Sequence, residues 1–194
     1  TTWGAGHYKD QTLDVKAAVA EKLEAAGAVL AAKVSLGSLA LNDEWFGGRT
    51  RNPWNVKQGS SGSSAGSASA VAAGLVPFAI GSETQGSILS PCTRCGPSGL
   101  RPTFGRVSRH GCMTLAWSMD KLGPIARSVE DCALVFQAIH GADPRDASAV
   151  DRPFAWPNRK PLEQLRVGFT PETEGKPELK VLKKLGVKLV PIKL

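Results

Sequence analysis

The stretch GSSGSSAGSASAVAAGLVPFAIGSETQGS, Gly59–Ser87, decides how this chain is read. It runs through Gly, Ala and Ser almost without interruption, turns apolar, then closes on a second Gly/Ser knot. Residues this small let one backbone approach another, or a substrate, very closely. The middle is too apolar for a flexible linker, which stays polar throughout. Ser64–Ala73 is compatible with a helix that carries no large side chain, so it should lie centrally, in close contact with a sheet. Leu75–Ile80 reads as a buried strand interrupted at Pro77, and Gly81–Ser87 as a tight turn after it. The two serine-rich knots are expected to meet in space and form an active site.

Working outward, Asp14 is placed to cap a helix over Val15–Ala26, whose Val15, Ala18, Val19, Leu23 and Ala26 share one face. Gly27 follows at the usual C-terminal position. Ala28–Ala32 reads as a buried strand that delivers Lys33 at its carboxyl end, where ligands sit in α/β sheets. Taken alone, Lys33 reads as a solvated surface group. Leu36–Leu41 predicts a short helix, and Asn42–Val56 a loop carrying Trp45, Phe46, Trp54, Arg49 and Arg51. Downstream, Ser128 opens a helix with the capping box SVED, and Gly141 ends it. A polar connector over Ala142–Pro161 leads to a strand at Leu165–Phe169, a helix at Leu179–Leu185 and a strand at Val187–Ile192. Helices and strands alternate, which points to an α/β fold with a mixed sheet flanked by helices, in one domain over residues 1–194.

With 194 residues and 42% of them hydrophobic, the chain can bury a real core. No window approaches the roughly 18 unbroken apolar residues of a membrane span, and TTWGAGHYKDQ lacks the pattern of a secretory signal. The formal charge of +7 raises nucleic acid as a partner. Much of the excess lies in Lys176, Lys180, Lys183, Lys184, Lys188 and Lys193, spaced among Leu, Val and Ile, as on the solvated face of a helix and a strand. No nucleic-acid module accompanies them, so that partner class is set aside. Cys92 and Cys95 form a lone CxxC without a second pair at zinc spacing. With Cys112 and Cys132 they read as free thiols in a reducing compartment, the cytoplasm.

Three chemistries compete for Gly59–Ser87. A phosphate loop would need Lys and Ser/Thr after its last glycine, but Ser67 and Ala68 follow Gly66. A nucleophile elbow is formally matched by GSSAG around Ser64, but NPWNVKQGS before it is a polar loop where a buried strand is required. Its base would have to be His110 or His140. The third replaces histidine with lysine: a desolvated, neutral lysine takes the proton of a serine hydroxyl, directly or through a second serine. Lys33 and one serine from each knot would supply such a chain.

Four motifs then occur in order: SSAGSASAVAAG, GSETQGSI, GLRPTFGRVSRHG and SMDKLGPIARSVEDCAL. Together they resemble the amidase signature hydrolases over essentially the whole chain. The resemblance implies a serine–cis-serine–lysine triad, with Ser87 as acyl-accepting nucleophile, Ser63 after a cis Gly62–Ser63 peptide as proton relay, and Lys33 as base. It implies an oxyanion hole from the backbone amides of Thr84, Gln85, Gly86 and Ser87, no metal or cofactor, and a small-molecule amide or ester as substrate. No membrane is involved, and a homo-oligomer is left open. The alternative is a truncated amidase fold that binds a partner and turns nothing over. Three departures stand out. The family's paired glycines preceded by Asp are replaced by Glu83-Thr84-Gln85-Gly86. Leu89 stands where the family often has Arg. The chain looks like a core shortened at both ends.

Overall fold

Alternation along one strand organises the larger part of the molecule. The computed structural model describes residues 1–193, which fall into two units, Thr1–Phe154 and Ala155 onward. In the first, strands β1 (Glu44–Trp45), β2 (Gly48–Arg49), β3 (Arg51–Asn52) and β4 (Asn55–Gly59) make two small hairpins. Strands β5 (Phe78–Glu83), β6 (Ser98–Gly99) and β7 (Lys121–Ala126) form an antiparallel sheet in the order β5-β7-β6. Its register sets Phe78 opposite Ala126 and Glu83 opposite Lys121.

Side chains along a strand point alternately to opposite faces, so Leu122 and Ile125 of β7 serve different cores. Ile125 packs with Ala68, Val71, Ile88, Cys92 and Cys95, which belong to helices α2 (Ala65–Ala72) and α3 (Leu89–Cys95) and the residue before α3. Leu122 packs with Val19, Val107, Phe136 and Ile139, drawing in α1 (Ala18–Ala25) and α4 (Val129–Ile139). Each fully buried aliphatic side chain here contributes on the order of 1.5–3 kcal/mol.

The cap of α4 forms as the sequence predicts. The Asp131 amide donates to Ser128 Oγ at 3.0 Å. Ser128 Oγ in turn donates to the Asp131 carboxylate, which therefore does not reach back to the Ser128 amide. Beyond the helix, Lys22 Nζ donates to the carbonyls of His140 and Gly141 at 2.9 and 3.3 Å, a cation where the helix dipole favours one.

Helix α1 starts later than the sequence suggests. Asp14 caps nothing; the N-cap is Ala17, in extended conformation and without a side-chain bond. The Ala18 amide donates to the His110 carbonyl at 3.1 Å, and Gly111 lies so close that a Cβ there would sit 2.6 Å from Ala17 Cα. This tertiary contact holds Ala17 extended. The C-terminus follows expectation: Gly27, at φ +87, donates to Glu24, and Ala28 donates to Leu23, both at 2.9 Å.

Ala28–Ala32 is not a strand. It has no ladder partner, and Val29 and Leu30 are 89% and 65% exposed. Lys33 therefore does not stand at the end of a strand. A short apolar run does not itself supply the neighbour that a strand requires. The expected helix at Leu36–Leu41 is a single 3-10 turn, Ser38–Ala40, with Leu39 at φ +49. The aromatic loop is built into the hairpins, and it closes the end of α3. Asn52 Nδ2 donates to the Arg94 carbonyl at 3.0 Å and Trp54 Nε1 to the Cys95 carbonyl at 2.7 Å. Strand β5 begins only after Pro77 and runs through Glu83, so Gly81, Ser82 and Glu83 are strand and the turn begins at Thr84.

In the second unit, β8 (Arg166–Phe169) and β9 (Lys188–Pro191) pair in parallel, connected through α5 (Pro177–Lys184). The six lysines singled out above all lie at exposed positions. Antiparallel and parallel pairing thus both occur, and the α/β class holds. No helix among the described residues is long and apolar enough to cross a membrane.

Candidate active site

Helix α2 explains the need for small residues. Ala65, Gly66, Ser67, Ala68, Ala70 and Val71 are all buried. The Gly66 amide donates to the Ser35 carbonyl at 2.9 Å, and a Cβ on Gly66 would lie 2.5 Å from that same oxygen. The serines fasten the helix to β5. Ser67 Oγ donates to the Ile80 carbonyl at 2.8 Å. Ser64 Oγ donates to the Ser82 carbonyl and accepts from the Ser82 amide, both at 3.1 Å. With its hydroxyl so occupied, Ser64 is a structural residue, and the nucleophile-elbow reading loses its nucleophile.

The two knots meet directly. The Ser64 amide donates to the Ser87 carbonyl at 3.0 Å, and the Ser61 and Ser90 hydroxyls share a 2.7 Å hydrogen bond. Between these contacts lies the Gly62–Ser63 peptide, which is cis. Gly62 presses on the Asn42 carbonyl, leaving no room for a side chain. The Ser63 carbonyl accepts from the Gly37 amide at 3.0 Å. Ser63 is 1% exposed, and its Oγ finds no hydrogen-bond partner among the described residues. Buried hydroxyls are nearly always paired, so this one calls for an explanation.

The turn that carries Ser87 is pinned at both ends by residues whose part the sequence did not disclose. Glu83 is fully buried; its Oε2 accepts from the amides of Ile88 and Leu89 at 2.8 and 2.9 Å, and its Oε1 from Arg101 Nη1 at 3.2 Å. Burial pushes the Glu83 pKa up. The amides of Leu89, Gly86 and Ile88, together with Arg101, outweigh it and hold the carboxyl below its usual value. Thr84 donates its hydroxyl to Asp120 at 2.5 Å, while its carbonyl accepts from Lys121 Nζ at 3.0 Å. Asp120 also accepts from the amides of Leu115 and Ala116. Arg101, Asp120 and Lys121 come from GLRPTFGR and SMDKLGP, so the motif segments converge on Glu83-Thr84. Their order in the chain was the only available signal.

Lys33 stands apart from the serines. It is exposed, and its Nζ donates to Thr1 Oγ1 at 2.7 Å. No hydrogen bond joins it to Ser63 or Ser87, although Ser35, two residues on, is tied to α2. Gln85 is exposed beside the turn and Gly86 adopts φ +89. A polar cleft of about 290 Å³ is lined by Asn42, Asp43, Glu44, Arg49, Ser61 and Arg94. It adjoins the cis peptide at Ser61, but Lys33, Ser63 and Ser87 do not line it. Buried Asp43 closes one wall, accepting from Arg49 Nε and from the Ser61 amide, each at 2.9 Å.

The four cysteines are free. Burial pushes Cys92 up to about 12 and Cys112 up to about 11, and it raises Cys95 and Cys132 as well. All four are thiols at neutral pH and offer no thiolate nucleophile. His140 is packed against Phe136 and Phe154; burial, with Arg106 and Lys22 nearby, lowers its pKa.

A family model described as Amidase matches residues 1–190. The A subunit of glutamyl-tRNA(Gln) amidotransferase from Deinococcus radiodurans is 43% identical over 180 residues, covering 90% of this chain and 37% of that protein. Its namesake from Geobacillus stearothermophilus is 49% identical over 140 residues, covering 71% and 29%. Among solved structures, the namesake from Thermotoga maritima superposes with a TM-score of 0.91 at 34% identity, over 100% of this chain and 46% of that one. The native peptide amidase of Stenotrophomonas maltophilia gives 0.84 at 35% identity, over 100% and 45%. The chain spans less than half the length of each of these relatives.

Proposed function

The chain belongs to the amidase signature family, and from that premise we propose that it carries the acyl-transfer core of a serine hydrolase. Its substrates are carboxylic amides, and small esters, cleaved through an acyl-enzyme on Ser87. The observation that carries this reading is the buried, unpartnered Ser63 hydroxyl beside the turn that holds Ser87. A hydroxyl in that position is suited to receive one proton and pass on another.

In the proposed mechanism Ser87 Oγ attacks the substrate carbonyl while its proton moves through Ser63 Oγ to Lys33 Nζ. The tetrahedral oxygen is held by backbone amides drawn from Thr84, Gln85, Gly86 and Ser87, each oriented donor worth about 3–4 kcal/mol. The amine leaves with the returned proton, and water hydrolyses the acyl-enzyme by the reverse relay. A lysine serves as base only when neutral, a state that desolvation favours. Lys33 must therefore exchange its contact with Thr1 for Ser63, under cover that the described residues do not provide. The mechanism calls on no metal or cofactor.

A second reading is favoured by that same exposure of Lys33: an amidase-fold scaffold without turnover. A serine-directed sulfonyl fluoride separates the two. An adduct on Ser87 is expected; no adduct under conditions where a control amidase reacts sinks the enzyme reading. For the base, Lys33→Ala should lower turnover of p-nitrophenyl esters and anilides by about 10²–10⁴-fold. An unchanged rate removes Lys33 from the mechanism.

A further inference from the structure

Glu83 carries more contacts than a strand-end residue needs. A buried charge is tolerated only when it is paired and hydrogen-bonded, and each acceptor oxygen of this one has a task. Oε1 faces the Arg101 guanidinium; Oε2 takes the amides of Ile88 and Leu89. Those amides directly follow Ser87, and Glu83 itself precedes the turn. One carboxylate therefore spans the turn from its first residue to the start of α3, closing it into a ring with Ser87 on the circumference. The Ser90 amide, donating to the Gly86 carbonyl at 2.7 Å, tightens the same ring.

The geometry demands an acid. All the neighbours of the Glu83 oxygens are donors. A glutamine would turn its NH₂ either on Arg101 or on the two amides, so one contact must break. Arg101 supplies the balancing charge from the GLRPTFGR segment.

We propose that Glu83, neutralised by Arg101, is a positioning residue for Ser87: without touching substrate, it fixes the direction of the turn's amides and the seat of the nucleophile. The proposal rests on the acyl-enzyme reading for its catalytic consequence, but the ring itself can be tested independently.

Two measurements on the 194-residue chain decide it. In Glu83→Gln, kcat for a p-nitrophenyl ester should fall about 100-fold, the order that a small misplacement of a reacting group produces, with KM held within about twofold. In the same variant, amide hydrogen exchange at Ile88 and Leu89 should quicken at least about tenfold, while Phe136 in α4 keeps its protection. Unchanged exchange at Ile88 and Leu89, or a loss that falls on KM, overturns the proposal. If Glu83→Gln does not fold, Arg101 is the substitute, since its side chain is half-exposed. Arg101→Gln should lower kcat about tenfold and Arg101→Lys should restore most of it; equal rates in all three proteins overturn the proposal. If the unaltered chain takes no sulfonyl fluoride, the acyl-enzyme reading falls, and the exchange experiment alone judges the ring.

Discussion

Gly59–Ser87 and Ala28–Val34 carry the residues proposed for the triad, and they are anchored in opposite ways. In the first, backbone and hydroxyl groups are spoken for nearly one by one: Ser64 by Ser82 and Ser87, Ser67 by Ile80, Gly66 by Ser35. In the second, no ladder forms, Val29 and Leu30 face solvent, and the Lys33 side chain rests on a terminal threonine. Two stretches that the family resemblance ties to one triad thus differ in what they need to become structure. The serine turn is completed by partners within the chain. The lysine segment is fixed only from Ser35 onward, where it meets α2.

That contrast can be broken by stability measurements. The largest effect is expected at Ile125, fully buried beneath α2 and α3. Ile125→Ala should cost about 3–4 kcal/mol in urea unfolding. Gly62→Ala follows, because a methyl group there lands on the Asn42 carbonyl; overpacking of this kind costs about 2–3 kcal/mol. An unshifted midpoint for Gly62→Ala would show that residues 42 and 62 are not held against each other. Ser67→Ala removes the bond to Ile80 and should cost about 1 kcal/mol. Val29→Ser should change stability by no more than about 0.5 kcal/mol. A loss above about 1 kcal/mol at Val29 would mean that its segment is packed in solution, and the distinction between the two stretches would fall.

Acid sharpens the same point. Glu83 is held below its ordinary value of 4.5 in the folded chain. Its contribution to stability is therefore present above pH 4.5 and disappears as the pH falls through the lowered value. Urea midpoints followed downward from pH 6 should decline across that window in the unaltered chain and decline less in Glu83→Gln. Identical slopes would show that Glu83 does not titrate differently in the folded and unfolded states.

The sequence disclosed what depends on local pattern. Ser128 and Asp131 mark the start of α4, and the run of Ala and Ser marks a buried α2, because capping and helical spacing act over a few residues. It also placed Ser63 and Ser87 in adjoining segments through ordered motifs. It misjudged Asp14, since a tertiary bond from Ala18 to His110 decided where α1 begins. It took Ala28–Ala32 for a strand, because apolar composition is the same whether or not a neighbour arrives to pair. The anchors Arg101, Asp120 and Lys121 stayed hidden for a different reason. Their bonds run from side chain to backbone across long sequence separations, and no periodicity encodes such a bond.

The serine contacts of α2 have one more consequence. Among the described residues strand β5 lies at the margin of its sheet, and a margin is where strands of separate molecules join. There the Ile80 carbonyl is already taken by the Ser67 hydroxyl, and the Ser82 carbonyl and amide by that of Ser64. A helix lined with serine thus does the work of an absent strand. Its hydroxyl groups occupy edge positions that another strand would otherwise bond.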